Sequence, residues 1–244
     1  MKNSIEISFF VPCYNEASRI IPTFKKIINI GELLKLSLEI IVCNDSSTDN
    51  SLLEIQKFCD QNTQTRIHII NNTKQNGVAY NYFNAVTIAK GTYYMLISGD
   101  DAEDKNSILE VIKLRGKAEM IIPYLSPDSR KWIRIFLSNA FTMIVNLSSG
   151  NKIKYYNGNV LHLRRNLLNI KTSTNLTGIV YQAEIILKLL KKNTSYIEVP
   201  TRNNEKKGWI TSALRPWNFL LVTLFFSRIL TRRLIDYTGL SSRT

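Results

Sequence analysis

Cysteine and histidine are scarce in this chain. Its 244 residues include three cysteines, Cys13, Cys43 and Cys59, and two histidines, His68 and His162. The cysteines are odd in number and scattered, and they form no Cys-x-x-Cys pair, so neither a zinc site nor a disulfide framework is indicated. So few thiols without a pairing pattern fit a reducing, cytoplasmic setting. Two histidines exclude a histidine-rich metal centre. Long apolar runs are lacking too. The strongly apolar stretches at residues 132–147 and 217–230 are shorter than the roughly 20 residues a bilayer-spanning helix takes, and they carry Arg134 and Arg228. The first residues lead straight into an expected strand and lack the shape of a signal peptide. There is no internal repeat and no low-complexity segment.

Charge is present and unevenly spread. The net charge is +13. Residues 1–125 hold 13 Lys/Arg against 14 Asp/Glu, whereas residues 126–244 hold 19 against 5. Such asymmetry between halves points to nucleic acid or an anionic membrane surface as partner. The basic residues lie beside apolar runs, without the exposed aromatic platform that single-strand binding uses, so no nucleic-acid partner is expected.

The first half alternates short β-branched runs with helical segments. Strands are expected at residues 5–11, 38–43, 66–71, 93–98 and 119–123, and helices at 18–29, 51–59, 78–89 and 105–114, the 78–89 helix closed by Gly91 as a C-cap. Strands alternating with helices of this length build βαβ units, so the fold class is α/β with a Rossmann-like, mainly parallel sheet flanked by helices. In such sheets ligands bind beyond the carboxyl ends of the strands. Three polar clusters fall there: residues 12–16, 44–49 and 99–104. The last places four acids, Asp100, Asp101, Glu103 and Asp104, just after an apolar strand. Hard ions such as Mg2+ or Mn2+ take oxygen ligands and bind through one or two carboxylates plus substrate phosphates. The cluster is therefore either a metal–phosphate site or a solvated acidic loop capping the next helix.

The second half changes character. A helix is expected at residues 132–147, a strand at 160–163 running into Arg164 and Arg165, a helix at 180–190 carrying Glu184, a strand at 196–199 closed by Pro200, and an apolar helix at 216–234. The two apolar helices suit the membrane interface, with Trp and Phe dipping in and Lys/Arg at the headgroups; core packing or a dimer contact is the alternative. Anionic lipid attracts basic residues near its surface by about 1 kcal/mol each. Three regions follow: a core at 1–125, an acceptor-side part of the same domain at 126–215, and a membrane-associating tail at 216–244.

The segments Val11-Pro12-Cys13-Tyr14-Asn15-Glu16, Asn44-Asp45 with the polar run to Asp49, Asn76-Gly77 and Gly99-Asp100-Asp101 resemble, in order and spacing, family-2 glycosyltransferases of the GT-A fold. The later pattern, through Arg134, Arg164, Glu184, Val199-Pro200 and Lys207-Gly208, is similar to the dolichyl- and polyprenyl-phosphate branch. The resemblance implies a nucleotide-sugar donor (UDP- or GDP-sugar), a lipid-phosphate acceptor, work at the cytoplasmic membrane face, and inversion at the anomeric carbon. It implies that Pro12, Tyr14, Asn15 and Glu16 hold the nucleotide, with Glu16 near the ribose. Asp45 would bond the base beside Asn44, with Asn76 and Gly77 nearby. Asp100, Asp101 and Glu103 would hold Mg2+ or Mn2+ and the diphosphate. The chain departs from the pattern at Gly99, where relatives carry the first acid of the Asp-x-Asp motif, and at Asn44, where they carry aspartate.

The chemistry agrees. Breaking an anomeric C–O bond leaves charge on a diphosphate, which a divalent ion and nearby cations stabilise. Lys206 or Lys207 could complete that cage. Arg134 could meet an acceptor phosphate through a charge-assisted bond, and Arg164 is a further candidate. An ionised phosphate acceptor needs no strong base, whereas a sugar hydroxyl does, and Glu184 or Asp104 would then serve. The competing functions are a transferase acting on a glycan hydroxyl and a non-catalytic relative.

Overall fold

The computed structural model describes residues 4–126, 132–170 and 180–202 and the isolated positions 227 and 231; side chains of the helix that starts at Trp132 are described from Ile135 onward. Element order is β1 (Ile7–Cys13), α1 (Ile20–Leu34), β2 (Leu38–Asp45), α2 (Ser51–Gln61), β3 (Arg66–Asn72), α3 (Val78–Ile88), β4 (Tyr93–Leu96), α4 (Lys105–Lys113), β5 (Met120–Leu125), α5 (Trp132–Ser149), β6 (Leu161–Leu163), α6 (Arg164–Leu168), α7 (Tyr181–Leu190) and β7 (Tyr196–Thr201).

These strands form one seven-stranded sheet in the order β3-β2-β1-β4-β6-β5-β7. All neighbours run parallel except β6, which is antiparallel to both β4 and β5. Strands β6 and β7, beyond residue 126, belong to the same sheet as β1–β5. Strands β1 and β2 are almost wholly buried, as a sheet covered on both faces requires. One face packs on α1, α2 and α4 through Phe24, Ile27, Ile55, Phe58, Ile108 and Ile112. The other packs on α3, α5, α6 and α7 through Tyr82, Val145, Leu167 and Ile186.

Local chemistry explains where the elements differ from the sequence reading. Helix α1 runs through Gly31 to Leu34. A β-carbon on Gly31 would sit 2.3 Å from Leu38 Cδ2, so this glycine serves close packing on β2 and does not break the helix. Helix α3 ends at Ile88 with Ala89 as cap. The expected glycine cap at Gly91 is therefore corrected: a β-carbon there would meet Ser8 N at 2.5 Å, so the residue allows the chain to pass against β1. Strand β7 continues through Pro200 to Thr201, which is tolerated because β7 is an edge strand and a missing N–H there breaks no ladder bond. Among the described residues no helix is long and apolar enough to cross a membrane. Of the expected helix at 216–234 only the isolated positions 227 and 231 are described.

Candidate active site

The carboxyl ends of β1, β2 and β4 bring the three polar clusters together. The loop after β1 is braced against the loop after β2. Asn15, in a left-handed conformation (φ 57°), accepts a bond from Thr48 N at 2.8 Å through Oδ1 and donates its own N–H to Ser47 Oγ at 3.0 Å. Glu16 N donates to Ser51 Oγ at 2.8 Å, and Ala17 N to Asp49 Oδ2 at 3.2 Å. Asn15 thus shapes the loop with its side chain, while Tyr14 next to it is exposed. The Glu16 carboxylate pairs with Arg19 at 3.2 Å. Burial raises its pKa above the ordinary carboxylate value; Arg19 opposes that, and the charges of Asp100 and Asp49 add to it.

Asp45 ends β2 and holds the next loop. Its Oδ1 accepts from Asn76 N at 2.9 Å and Asn72 Nδ2 at 2.8 Å, and its Oδ2 accepts from Gly77 N at 2.9 Å. Burial pushes this carboxyl up, but the bonds from Asn76, Asn81, Asn72 and Gly77 outweigh it and hold it below its ordinary value. The sequence grouped Asp45 with Asn76 and Gly77, and the structure joins them directly. Gly77 takes φ 82° as the cap of α3, a conformation that favours glycine. Asn44 is buried and donates to Asn71 Oδ1 at 2.8 Å on the neighbouring strand.

The acidic loop after β4 has a distinct internal order. Gly99 N donates to Pro12 O at 3.2 Å, and a β-carbon on Gly99 would lie 2.6 Å from that same oxygen. A side chain there would force the backbone to shift against β1. Asp100 is buried and accepts from Ala102 N at 3.1 Å. Asp101 is left-handed (φ 61°), and its Oδ1 pairs with Lys26 Nζ at 2.6 Å. The same ammonium donates to the carbonyls of Asp101 at 3.3 Å and Glu103 at 2.7 Å. Glu103 turns inward: Oε1 accepts from Ser98 N at 3.0 Å and Asn159 Nδ2 at 2.5 Å. Its carboxyl is pushed up to about 7, first by burial and next by the Asp100 charge, against the Ser98 N–H and Lys26. Asp104 caps α4 by accepting from Ser107 N at 2.9 Å, so the capping role in the bland reading of this cluster belongs to Asp104.

Other expected residues fall elsewhere. Arg164 is corrected by the strand direction. Because β6 runs antiparallel to β4 and β5, its carboxyl end lies at their amino ends. Arg164 Nε donates to Gly91 O at 3.0 Å there, and Arg165 pairs with Glu119 at 3.6 Å. Both are at the edge of the sheet opposite the acidic loop. Glu184 pairs with Lys188 at 2.8 Å on α7; no described contact links it to the acids. The Arg134 side chain, Lys206 and Lys207 lie outside the described residues. Two residues that sequence reasoning missed are Lys26 and Asn159. Lys26 left a trace: on α1 it lies three residues after Thr23 and four before Ile30, both buried, so it sits on a buried stripe where lysine is unusual. Asn159 left none, since only the folded loop carries it to Glu103.

The Asp100 charge raises the proton affinity of both Glu16 and Glu103, a concentration of negative charge that a cation relieves. Among the described residues no cluster of three or more His, Cys, Asp or Glu could hold a metal by itself. Asp100 and Asp101 nonetheless fit an Mg2+-type ion, which is bound through one or two carboxylates with substrate phosphates completing the shell.

The family model for glycosyl transferase family 2 matches residues 8–167. The chain belongs to that family. A family-2 assignment accounts for the order of the three loops along one sheet edge. An uncharacterized glycosyltransferase of Synechocystis is 23% identical over 240 residues, covering 97% of this chain and 74% of the relative. The chondroitin synthase of Pasteurella multocida is 33% identical over 103 residues, which is 42% of this chain and 10% of that protein. Among solved structures, a mannosyltransferase of Pyrobaculum calidifontis in complex with GDP-Man and Mn2+ superposes with a TM-score of 0.63 at 16% identity, covering 85% of this chain and 59% of that one. A glucosyl-3-phosphoglycerate synthase of Mycobacterium tuberculosis with bound UDP gives a TM-score of 0.65 at 13% identity, covering 92% and 80%. The family-2 fold is thus the α/β GT-A architecture expected from the sequence.

Proposed function

We propose that this family-2 protein transfers a sugar from a UDP- or GDP-sugar to a polyprenyl phosphate at the cytoplasmic face of a membrane, with Mg2+ or Mn2+. The observation that carries the reading is the meeting of the Glu16 loop, the Asp45–Asn76–Gly77 cluster and the Asp100–Asp101 pair at one sheet edge. The solved relatives bound to GDP-Man and Mn2+ or to UDP support the donor and the metal. The metal, held by Asp100 and Asp101 with diphosphate oxygens, would stabilise the charge that develops on the leaving group. The chain's own residues set the stage for it. Lys26 fixes the loop that presents Asp101, Gly99 keeps that loop pressed on β1, and Asp45 fixes the turn at Asn76 and Gly77. The N–H groups of Asn76 and Gly77 are spent on Asp45, which fixes the turn at the sheet edge where a nucleotide base would sit.

The acceptor side rests on α5. Phe136 (66% exposed), Met143 (58%) and Leu147 (68%) form a stripe with Leu137 and Ile144 on one side of this helix. An apolar helical face in a region of strongly positive charge suits the interface of an anionic bilayer. Arg134 near the start of that helix would then meet the acceptor phosphate, with Lys206 and Lys207 as further cations. The chondroitin synthase match favours a second reading, in which the acceptor is a glycan hydroxyl. Incubation with radiolabelled nucleotide sugars and undecaprenyl phosphate separates the two. Label extracted with lipid supports the first; its absence with every common donor, alongside transfer to oligosaccharide, supports the second.

A further inference from the structure

Among the described residues four acids are buried: Glu39, Asp45, Asp100 and Glu103. Three of them belong to the candidate site. Glu39 does not: it is the second residue of β2, at the opposite end of that strand from Asp45, and it is wholly buried. A buried carboxylate is costly unless it is hydrogen-bonded, so its partners say what it holds. Oε1 accepts from Ser8 Oγ on β1 at 2.6 Å and from Lys90 N at 2.6 Å. Ser8 Oγ in turn accepts from Gly91 N at 2.8 Å. Oε2 lies 3.4 Å from His68 Nε2 on β3. Glu39 thus ties three strands to the Lys90–Gly91 turn that follows α3.

Asp45 does the same at the other end of that helix, through the N–H groups of Asn76 and Gly77. Side chains alternate along a strand, so Glu39, Ile41, Cys43 and Asp45 face one way. Ile41 and Cys43 pack in one core cluster with Ala79, Tyr82, Ala85 and Val86 of α3. From residue 39 to residue 45 a strand spans about 20 Å, and the 11 residues of α3 span about 16 Å. One carboxylate therefore lies under each end of the helix. We propose that Glu39 is a positioning residue for the nucleotide: carboxylates of β2 hold α3 at both ends, so the Asn76–Gly77 turn is set from the far end of the helix as well as by Asp45. Two more bonds hold α3 near its middle. Asn72 Nδ2 donates to Asn81 Oδ1 at 2.8 Å, and Tyr94 Oη donates to Tyr82 O at 2.9 Å. These act as a pivot: with its far end released, the helix rocks about Tyr82 and its Gly77 end moves with it. The identity of the ligand rests on the transferase reading; the coupling between the two turns does not.

The test uses the full chain and two readouts. Amide hydrogen exchange at Asn76–Ala79 reports the turn, and calorimetry with UDP and GDP in Mn2+ reports the site, both at a temperature where every variant is folded by circular dichroism. Glu39→Leu removes the acceptor. It is expected to speed exchange at Asn76–Ala79 and to weaken nucleotide binding about tenfold, as the loss of one net hydrogen bond does. Glu39→Gln keeps an oxygen that can accept from Ser8 and Lys90, and should match the wild type in both readouts. Ser8→Ala removes only the hydroxyl that Glu39 and Gly91 share. It should shift both readouts the same way by less, and it carries the test if Glu39→Leu does not fold. Ile112→Ala, in α4 on the other face of the sheet, destabilises the core but should leave both readouts at their wild-type values. Exchange and affinity that neither Glu39→Leu nor Ser8→Ala alters, or losses that Ile112→Ala reproduces, overturn the inference. A wild-type chain that binds neither nucleotide, with exchange at the turn still governed by Glu39, sinks the donor reading and upholds the coupling.

Discussion

Replacing Lys26 with methionine is the sharpest probe of the acidic loop. The substitution keeps the length of the side chain and removes its charge. Three interactions go at once: the 2.6 Å ion pair with Asp101 and the bonds to the carbonyls of Asp101 and Glu103. The two side chains are 15% and 23% exposed, which sets this pair between surface pairs, worth about 0–1 kcal/mol, and fully buried ones, whose breakage costs about 3–5 kcal/mol. An intermediate loss of about 2 kcal/mol follows. For a domain of this size that corresponds to a melting temperature lower by about 4–8 °C. The assay is thermal denaturation in EDTA and again with Mn2+. In the variant Asp101 has lost its cationic partner, so Mn2+ should raise the melting temperature by more than it does in the wild type. A drop smaller than about 1 °C in EDTA, or an identical metal-induced rise in both proteins, would refute the idea that Lys26 governs the loop and its access to metal.

Three further outcomes are expected. Gly99→Asp, which restores the motif's first acid, should lower stability by about 1–3 kcal/mol without strengthening Mn2+ binding, because the new β-carbon meets Pro12 O; urea unfolding and metal titration check both parts. His162 is buried and held neutral, its pKa pushed down to about 3 by burial. The folded state therefore binds fewer protons than the unfolded one between about 6.5 and 3, and stability falls as pH drops through that window; His162→Leu should flatten this limb in a series of melts from pH 7 to pH 4. The double change Phe136→Glu, Leu147→Glu should abolish sedimentation with anionic liposomes and leave the melting temperature within about 1 °C, since both side chains are exposed.

The βαβ order was legible because its signals are local. Apolar runs of strand length, separated by helical periodicity and ended by turn residues, identify themselves one at a time, and their alternation implies parallel pairing. The direction of β6 was not legible in this way. Its three residues, Leu161, His162 and Leu163, read the same in either direction, and only pairing with Met95, Tyr94 and Tyr93 reveals that the strand runs backwards. That single inversion carries Arg164 and Arg165 to the wrong edge for phosphate contact. Gly91 misled for a related reason. It looked like helix punctuation, whereas it is required by β1 passing close by, a contact distant in sequence.

The same distinction explains the acidic loop. Residue types told that Asp100, Asp101 and Glu103 belong to one polar strand end, but not which carboxylates face outward. That is decided by partners far along the chain: Pro12 at Gly99, Lys26 at Asp101, Asn159 at Glu103. All three acids have partners within the protein, but Asp100 is held only by the neighbouring Ala102 N–H among the described bonds. Glu103 is anchored below the loop, and Asp101 is neutralised from α1. Asp100 sits between Glu16 and Glu103 and raises the proton affinity of both. A cation arriving with a diphosphate would therefore gain most from Asp100, and would gain from Asp101 only in competition with Lys26. A family-2 site lacking the first acid of its motif can thus keep a charge arrangement suited to metal by moving the burden one residue along. The order of effects is testable in one series: Asp100→Asn should weaken Mn2+ binding more than Asp101→Asn does, and the ranking should reverse in the Lys26→Met background.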